Sequence, residues 1–326
     1  MQVHPWLWVL TVALASVFLI FDIFVIGRHP HEPTTTECAR ALGFYVGTAV
    51  LFGIGVWASS GAQYGGEFFA GWLTEYSLSV DNLFIFLIIL TKFEVPRKLQ
   101  QEALLIGIVL ALVLRGIFIA LGAAVIANFS WVFYLFGLFL VVTAVRLSRE
   151  NSSEGEEYRE NGLIRWVTKV LPATKEYNGV KLTVRGDGHR LITAMFIVLI
   201  ALGTTDLLFA LDSIPAIYGL TKEPYLVLMA NIFALMGLRQ LYFLIGGLLQ
   251  RLVYLSIGLS FLLAFIGVKL ILHALHENEV PFVNGGEHVS WAPDIPIWVS
   301  LLVIVGTLAV TTVASVAKNG GGAQPA

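Results

Sequence analysis

Two stretches of this chain carry residues that could do chemistry. Glu75-Tyr-Ser-Leu-Ser-Val-Asp81-Asn82 and Asp206-Leu-Leu-Phe-Ala-Leu-Asp212-Ser213 each hold two carboxylates six residues apart, and each closes on a small polar residue. Both lie inside long apolar runs. On insertion scales an Asp at the centre of a membrane helix costs about 2.5–3.5 kcal/mol, so three of them cost roughly 8–10 kcal/mol. That is of the order of a whole protein's net stability, about 5–15 kcal/mol. The usual compensation is a partner charge, a bound ion or a proton path.

The charges can be counted. Glu75, Asp81, Asp206 and Asp212 give −4 when ionised, Arg115 and Arg239 in the apolar segments give +2, and the remaining −2 equals one divalent cation or two protons. Carboxylate, amide, hydroxyl and carbonyl oxygens suit Mn²⁺, Mg²⁺ or Ca²⁺, whereas thiolates and imidazoles suit Zn²⁺ or Cu⁺. Cys38 is the single cysteine, so an intrachain disulfide and a thiolate cluster are both excluded. Glu75, Asp81, Asn82, Asp206, Asp212 and Ser213 are therefore the candidate metal ligands. The ion is cargo, and no permanently bound cofactor is expected. Six residues turn a helix by roughly 120° over about 9 Å, so one straight helix would not aim both acids of a motif at one point. Pro215 has no N–H to give the carbonyl of Leu211, which predicts a helix break beside Asp212. The competing structural reading has each acid pair locked against the Arg of its own segment group.

These motifs need a membrane to sit in. The chain is 57% hydrophobic and 13% charged, with a mean hydropathy of +0.81. A soluble domain is about 25% charged, so this is an all-α, polytopic membrane helix bundle. Windows of about 20 apolar residues span a bilayer. Nine are read here: Trp6–Ile26, Ala41–Ser59, Phe68–Leu90, Ala103–Ala127, Trp131–Leu147, Leu191–Tyr218, Tyr225–Leu248, Leu252–His273 and Ile297–Ala317. The first has no Lys or Arg before it and is read as a retained helix rather than a signal peptide. One set of loops carries Arg28, Arg40, Lys92, Arg97, Lys98, Arg251, Lys318 and the basic residues of the long connection; the other carries Lys222. The positive-inside rule makes the basic side cytoplasmic, the N-terminus external and the C-terminus internal.

An internal repeat organises the spans. After the first motif comes a helix with Gly107, Arg115 and Gly122; after the second comes one with Asn231, Arg239 and Gly246. A third helix follows in each, where Tyr134…Gly137-Leu138 parallels Tyr254…Gly258-Leu259. Three spans per unit force the two units into opposite orientations, the plan of many secondary transporters with midplane sites. Residues 1–66 then form two added helices, 67–148 the first unit, 149–190 a cytoplasmic loop, 191–276 the second unit, 277–318 an external loop and ninth helix, and 319–326 a disordered Gly-rich tail. Val180–Val184 reads as a short strand.

Other polar residues are expected to play lesser parts. Asp22 would pair with Arg28, Glu67 would be wet, and Lys269 would snorkel outward. Asn231, in the position of Gly107, would hydrogen-bond across helices near the site. His273, His276, Glu277 and Glu279 form a solvated external loop that could receive a released metal. Gly53 and Gly55, like Gly246 and Gly247, read as close helix packing.

At three stretches the chain resembles the TerC/Alx family of integral membrane proteins. They are Glu75 to Phe84, Thr205 to Ile217 with Pro215, and Asn231 to Phe243 with Arg239. The likeness runs from about the second helix to the ninth. It implies the LysE-like transporter superfamily fold and manganese export from the cytoplasm, with Glu75, Asp81, Asp206 and Asp212 as the matching acids. Many relatives carry a Glu three residues before the first Asp of the second motif, where this chain has Gly203. The expected function is thus a secondary exporter of a divalent cation, Mn²⁺ first, possible proton entry being its coupling, in the bacterial cytoplasmic membrane. Its partners would be lipid, the cation and protons, and not nucleic acid. The alternative is a non-transporting membrane factor that helps other proteins assemble or acquire metal, docked through the basic loop. An intramembrane acid–base hydrolase suits the symmetric acids less well, so no enzyme is expected.

Overall fold

The computed structural model describes residues 3–28, 34–129, 131–150, 174, 177, 179–186, 189–245, 254–278, 280, 283–289 and 291–320. Ten α-helices are formed by the described residues. They are α1 (Pro5–Arg28), α2 (Thr35–Ser60), α3 (Ala62–Lys92), α4 (Arg97–Asn128), α5 (Val132–Glu150), α6 (Ala194–Tyr218), α7 (Pro224–Met236), α8 (Leu238–Ile245), α9 (Leu255–His276) and α10 (Ile297–Gly320). Among the described residues seven spans are long and apolar enough to cross a membrane: α2, α4, α5, α6, α7 with α8, α9 and α10. The chain is an integral membrane protein of all-α architecture. The 31-residue α3 is at least as long as any of these except α4, but it carries Glu67, Glu75 and Asp81 along its length.

Local chemistry sets the helix ends. Thr34 and Glu37 form a reciprocal capping box at the start of α2, with Thr34 Oγ1 accepting from the Glu37 amide and Glu37 Oε2 from the Thr34 amide. Gly61 alone separates α2 from α3, at φ 103°, a conformation that glycine adopts without a Cβ penalty. Thr193 caps α6, and Pro224 opens α7, where its missing N–H is harmless. A small hairpin precedes α6: β1 (Thr183–Gly186) pairs antiparallel with β2 (His189–Ile192), Thr183 opposite Ile192. The strand expected over Val180–Val184 thus begins three residues later.

Two features of α6 to α8 differ from the sequence expectation. No break occurs at Asp212: α6 runs unbroken to Tyr218, and Pro215 sits in its final turns. Its ring leaves the interior Leu211 carbonyl without a helical donor, a cost that the helix absorbs without breaking. The interruption falls instead at Gly237, between α7 and α8. A Cβ at Gly237 would approach the Leu42 side chain at 3.1 Å and Tyr76 Oη at 3.2 Å.

Packing follows a crossed pattern. α3 lies against α7, α4 against α6, and α5 against α9. The last pair is in backbone contact: a Cβ on Gly137 would stand 2.8 Å from the Gly267 carbonyl oxygen, and one on Gly267 equally close to the Gly137 oxygen. Gly258, the expected partner of Gly137 in the repeat, packs on Thr311 of α10 instead. Gly53 does pack tightly, against Phe69, whereas Gly55 has open space beside it. Gly246, Gly247, Arg251, Glu279, most of the 149–190 loop and the end of the tail lie outside the described residues, as do the side chains of Asp22 and Arg28.

Candidate functional site

Arg115 is the centre of the site. It projects from the middle of α4 and is 1% exposed. Its Nη1 donates to Glu75 Oε2 of α3 at 2.7 Å. Its Nε and Nη2 donate to Asp206 Oδ2 and Oδ1 of α6 at 3.1 and 3.0 Å. The second contact is the parallel two-bond fork that guanidinium and carboxylate form best. With its amide turned to suit its neighbours, Asn82 accepts from Arg115 Nη2 at 3.2 Å and donates to the Leu78 carbonyl. Acids from both sequence units therefore share one guanidinium from the first.

Seven-residue spacing, and not six, explains which residues meet. Positions i and i+7 fall on one helix face. Glu75, Ser79 and Asn82 make such a stripe on α3, and Asp206, Ala210 and Ser213 make the equivalent stripe on α6. The second acid of each motif, Asp81 or Asp212, is one residue short of that i+7 spacing. Asp212 accordingly points elsewhere: Thr143 Oγ1 of α5 donates to its Oδ1 at 3.2 Å. It is partly exposed, and the adjacent Leu211 is exposed on the bundle surface. The expected convergence of Asp206 with Asp212 does not occur in this arrangement. The side chain of Asp81 lies outside the described residues. Thr143 escaped the sequence reading because nothing marks one hydroxyl on an apolar helix.

Several buried polar atoms around the stripe have no hydrogen-bond partner among the described residues: Glu75 Oε1, Thr74 Oγ1, Ser79 Oγ, Ser213 Oγ and both amide atoms of Asn231. Glu75 and Asn231 are wholly buried, and Ser79 and Ser213 are 1% exposed. A buried unsatisfied polar atom costs about 1–3 kcal/mol, so a cluster of them calls for an explanation such as an ion or water. Asn231 follows Ala230, which packs on Gly71 one turn before Glu75. Among the described residues no three His, Cys, Asp or Glu side chains are grouped to hold a metal ion.

Arg239 was expected to serve the second unit as Arg115 serves the first. It stands in the first turn of α8, two residues after Gly237, and α8 packs on α2 and α3. There it donates to the Gln240 amide oxygen at 2.6 Å when that amide is correctly turned. Glu75 and Asp206 both turn to Arg115.

A cavity of about 630 Å³ opens at the end of the bundle formed by the start of α3, the α6–α7 connection and the end of α9. Glu67, Thr221, Lys222, Lys269, His273 and Asp294 line it. Two expectations are corrected here. Glu67 is 8% exposed rather than wet, and Lys269, also 8% exposed, turns inward to Ser300 Oγ at 3.1 Å. Burial of the long Lys stem against α10 outweighs snorkelling because a hydroxyl and the cavity receive its head group. Lys222 Nζ meets Glu277 Oε2 at 2.5 Å at the rim. Burial pushes the Glu277 carboxyl up, but the Lys222 hydrogen bond and the charges of His273 and Lys222 leave it below the usual carboxylate range.

The model of the integral membrane protein TerC family matches residues 60–320, which include every residue of the Arg115 cluster. The chain belongs to the TerC family. Among TerC relatives it is 47% identical over 322 residues to the uncharacterized membrane protein Rv2723 of Mycobacterium tuberculosis, covering 98% of this chain and 81% of that protein. It is 36% identical to the uncharacterized membrane protein STKORF319 of Myxococcus xanthus, over 97% and 93% of the two chains. It is 34% identical to Alx of Escherichia coli K12, over 94% and 93%, a protein provisionally named a membrane-bound redox modulator. No solved structure matches the chain significantly.

Proposed function

We propose that this TerC protein is a secondary transporter that exports a divalent cation, Mn²⁺ by preference, from the cytoplasm of a bacterial cell, with protons returning on the same acids. The observation that carries the reading is the sharing of Arg115 between Glu75 and Asp206, one acid from each unit. A purely structural pair would close within one unit. A guanidinium shared by both halves sits where a transported cation would have to be held while the halves move. In the resting form Arg115 stands in for the ion. When a cation enters, Glu75 and Asp206 exchange the guanidinium for it, and the unpartnered Glu75 Oε1, Ser79 Oγ and Ser213 Oγ supply further hard oxygens of the kind Mn²⁺ takes. Asp81 and Asp212 flank the site and are the proposed proton carriers or secondary ligands.

The finer architecture belongs to the same proposal. α3–α5 and α6–α9 form two inverted three-span units, with α7 and α8 as one broken span, nine spans in all, an external N-terminus and a cytoplasmic C-terminus. The crossed packing of α3 on α7 and α4 on α6 supports it, because first-on-second contacts in both directions are what a two-fold axis in the membrane plane generates.

The test is Mn²⁺ uptake into inside-out vesicles loaded with a metal-sensitive dye. Glu75→Gln and Asp206→Asn should abolish uptake while protein level in the membrane is held equal. Uptake at the parent rate in both variants would refute the assignment.

A further inference from the structure

The cavity at the α3/α6/α9 end does not reach the Arg115 site. Glu67 lies at its floor, eight residues before Glu75, or about 12 Å along α3. Between them, Glu67, Gly71 and Thr74 share one face of α3 at positions i, i+4 and i+7. That face is closed by two contacts. Glu67 Oε2 accepts from Thr221 Oγ1 of the α6–α7 connection at 2.6 Å, while its Oε1 accepts from Gln63. One turn deeper, Gly71 faces Ile217 of α6 and Ala230 of α7, and an added Cβ would meet them at an ordinary contact distance of 3.5–3.6 Å. Below this lies Thr74, 2% exposed with an unpartnered hydroxyl, and then Glu75.

The opposite direction is sealed differently. Leu83, Phe86, Ile89 and Leu90 of α3 are buried in an apolar cluster with Leu104 and Ile108 of α4, Met195, Val198 and Leu202 of α6, and Leu238 of α8. The two barriers around the Arg115 site are thus unequal. One is an apolar plug; the other is apolar packing, with Phe68, Trp72, Ile217, Tyr218 and Ala230, interrupted by the Glu67–Thr221 hydrogen bond and by the missing side chain of Gly71.

We propose that Glu67 and Thr221 are the gate of the Arg115 site on the cavity side. Breaking their hydrogen bond frees the α6–α7 connection from α3 and lets the Ile217–Gly71–Ala230 contact part, joining cavity to site. The purpose of such a gate, release of the cation, rests on the transporter reading; its location rests on the geometry alone. The cavity suits a hydrated cation as occupant. Glu67, Glu223, Glu277 and Asp294 outnumber Lys222 and Lys269 along its wall, while no grouping there holds a bare ion among the described residues.

The experiment uses the full chain in nanodiscs, so that both faces meet the reagent, with Cys38→Ser removing the one native thiol. Thr74→Cys then places a thiol just behind the gate. Its rate of modification by a small cationic methanethiosulfonate is read by mass spectrometry. Thr221→Val should raise that rate about tenfold or more, the factor set by losing one hydrogen bond to a carboxylate, and Thr221→Ser should keep the parent rate. Glu67→Ala is a second, independent opening. Equal rates in Thr221→Val, Glu67→Ala and the parent background would overturn the gate. A separate arm adds Mn²⁺: faster modification that Mn²⁺ slows supports both gate and ion, whereas faster modification untouched by Mn²⁺ keeps the gate and counts against the ion.

Discussion

Arg115 of α4 and Asp206 of α6 are joined by two parallel hydrogen bonds of 3.1 and 3.0 Å, across the boundary between the two sequence units. Both side chains are 1% exposed. The fork fixes the orientation of the guanidinium, and its remaining nitrogen then falls to Glu75 at 2.7 Å. The cluster carries two negative charges and one positive, so an ion that brings two positive charges can exchange with Arg115 and leave no acid uncompensated.

Replacing Arg115 tests the cluster as a whole. Arg115→Met leaves two buried carboxylates without their cation, and removal of one partner of a buried pair costs about 3–5 kcal/mol. Arg115→Lys keeps charge but loses the fork, and should fall between Met and the parent. Thermal unfolding in detergent reads the loss. Mn²⁺ should raise the midpoint of Arg115→Met more than that of the parent, because there the ion has no guanidinium to displace. Equal Mn²⁺ shifts in the two proteins would mean that the ion binds elsewhere.

Asp206 and Asp212 should behave differently despite belonging to one motif. Asp212 has a neutral partner, Thr143, at 3.2 Å and is partly exposed. Losing a hydrogen bond to a buried carboxylate costs about 1.5–3 kcal/mol, and the partial exposure of Asp212 brings this one down towards about 0.5–1.5 kcal/mol. A double-mutant cycle on Asp212→Asn and Thr143→Val should give a coupling within that range. The cycle on Asp206→Asn and Arg115→Met should give a coupling at least twice as large, as pairs inside one buried network do. Similar couplings for the two cycles would contradict the unequal environments.

How much of this was legible beforehand differs from residue to residue. The apolar spans, the acids and Arg115 could be read directly, since an ionisable group in a membrane helix has few uses. The i, i+7 stripes were also present in the sequence, in Glu75…Asn82 and Asp206…Ser213, but the carboxylate pairs at spacing six drew the eye first. The helix break was misplaced because Pro215 is a strong local signal and Gly237 a weak one. Pro215 takes the donor from the Leu211 carbonyl yet leaves the helix continuous, whereas Gly237 is held by contacts with Leu42 and Tyr76, distant in sequence. For the same reason the Glu67–Thr221 hydrogen bond, spanning 154 positions, leaves no trace in local spacing.

The α5–α9 crossing should be intolerant of even one methyl group. A Cβ at Gly137 would lie 2.6 Å from Ile271 Cγ1 and 2.8 Å from the Gly267 carbonyl oxygen. Backbone cannot rotate aside as a side chain does, so overpacking of about 1–3 kcal/mol is expected for Gly137→Ala or Gly267→Ala. Gly306→Ala on α10 is the control, with open space at its Cβ; better helix propensity should make it neutral or stabilising by up to about 1 kcal/mol. Unfolding midpoints of the three variants in one detergent check the ordering, and a destabilised Gly306→Ala alone would reverse it.

Gly203 offers a way to add a ligand to the site. It lies three residues before Asp206, on the same side of α6, and the residue a Cβ there would meet is Leu110 of α4, at 2.6 Å from Cδ2. Leu110 is 38% exposed on the bundle surface, so its flexible end can swing outward and admit a larger residue. Gly203→Glu would place a third acid beside Arg115 and take the cluster from one excess negative charge to two. Without a divalent cation the variant should lose about 2.5–3.5 kcal/mol, the cost of an added membrane carboxylate. With Mn²⁺ present the loss should shrink, because the ion now meets three acids in place of two, and Leu110→Ala in the same chain should ease the insertion further. Unfolding midpoints measured with and without Mn²⁺ give the answer directly. A Gly203→Glu protein whose Mn²⁺ shift equals the parent's would show that position 203 does not look into the Arg115 cluster.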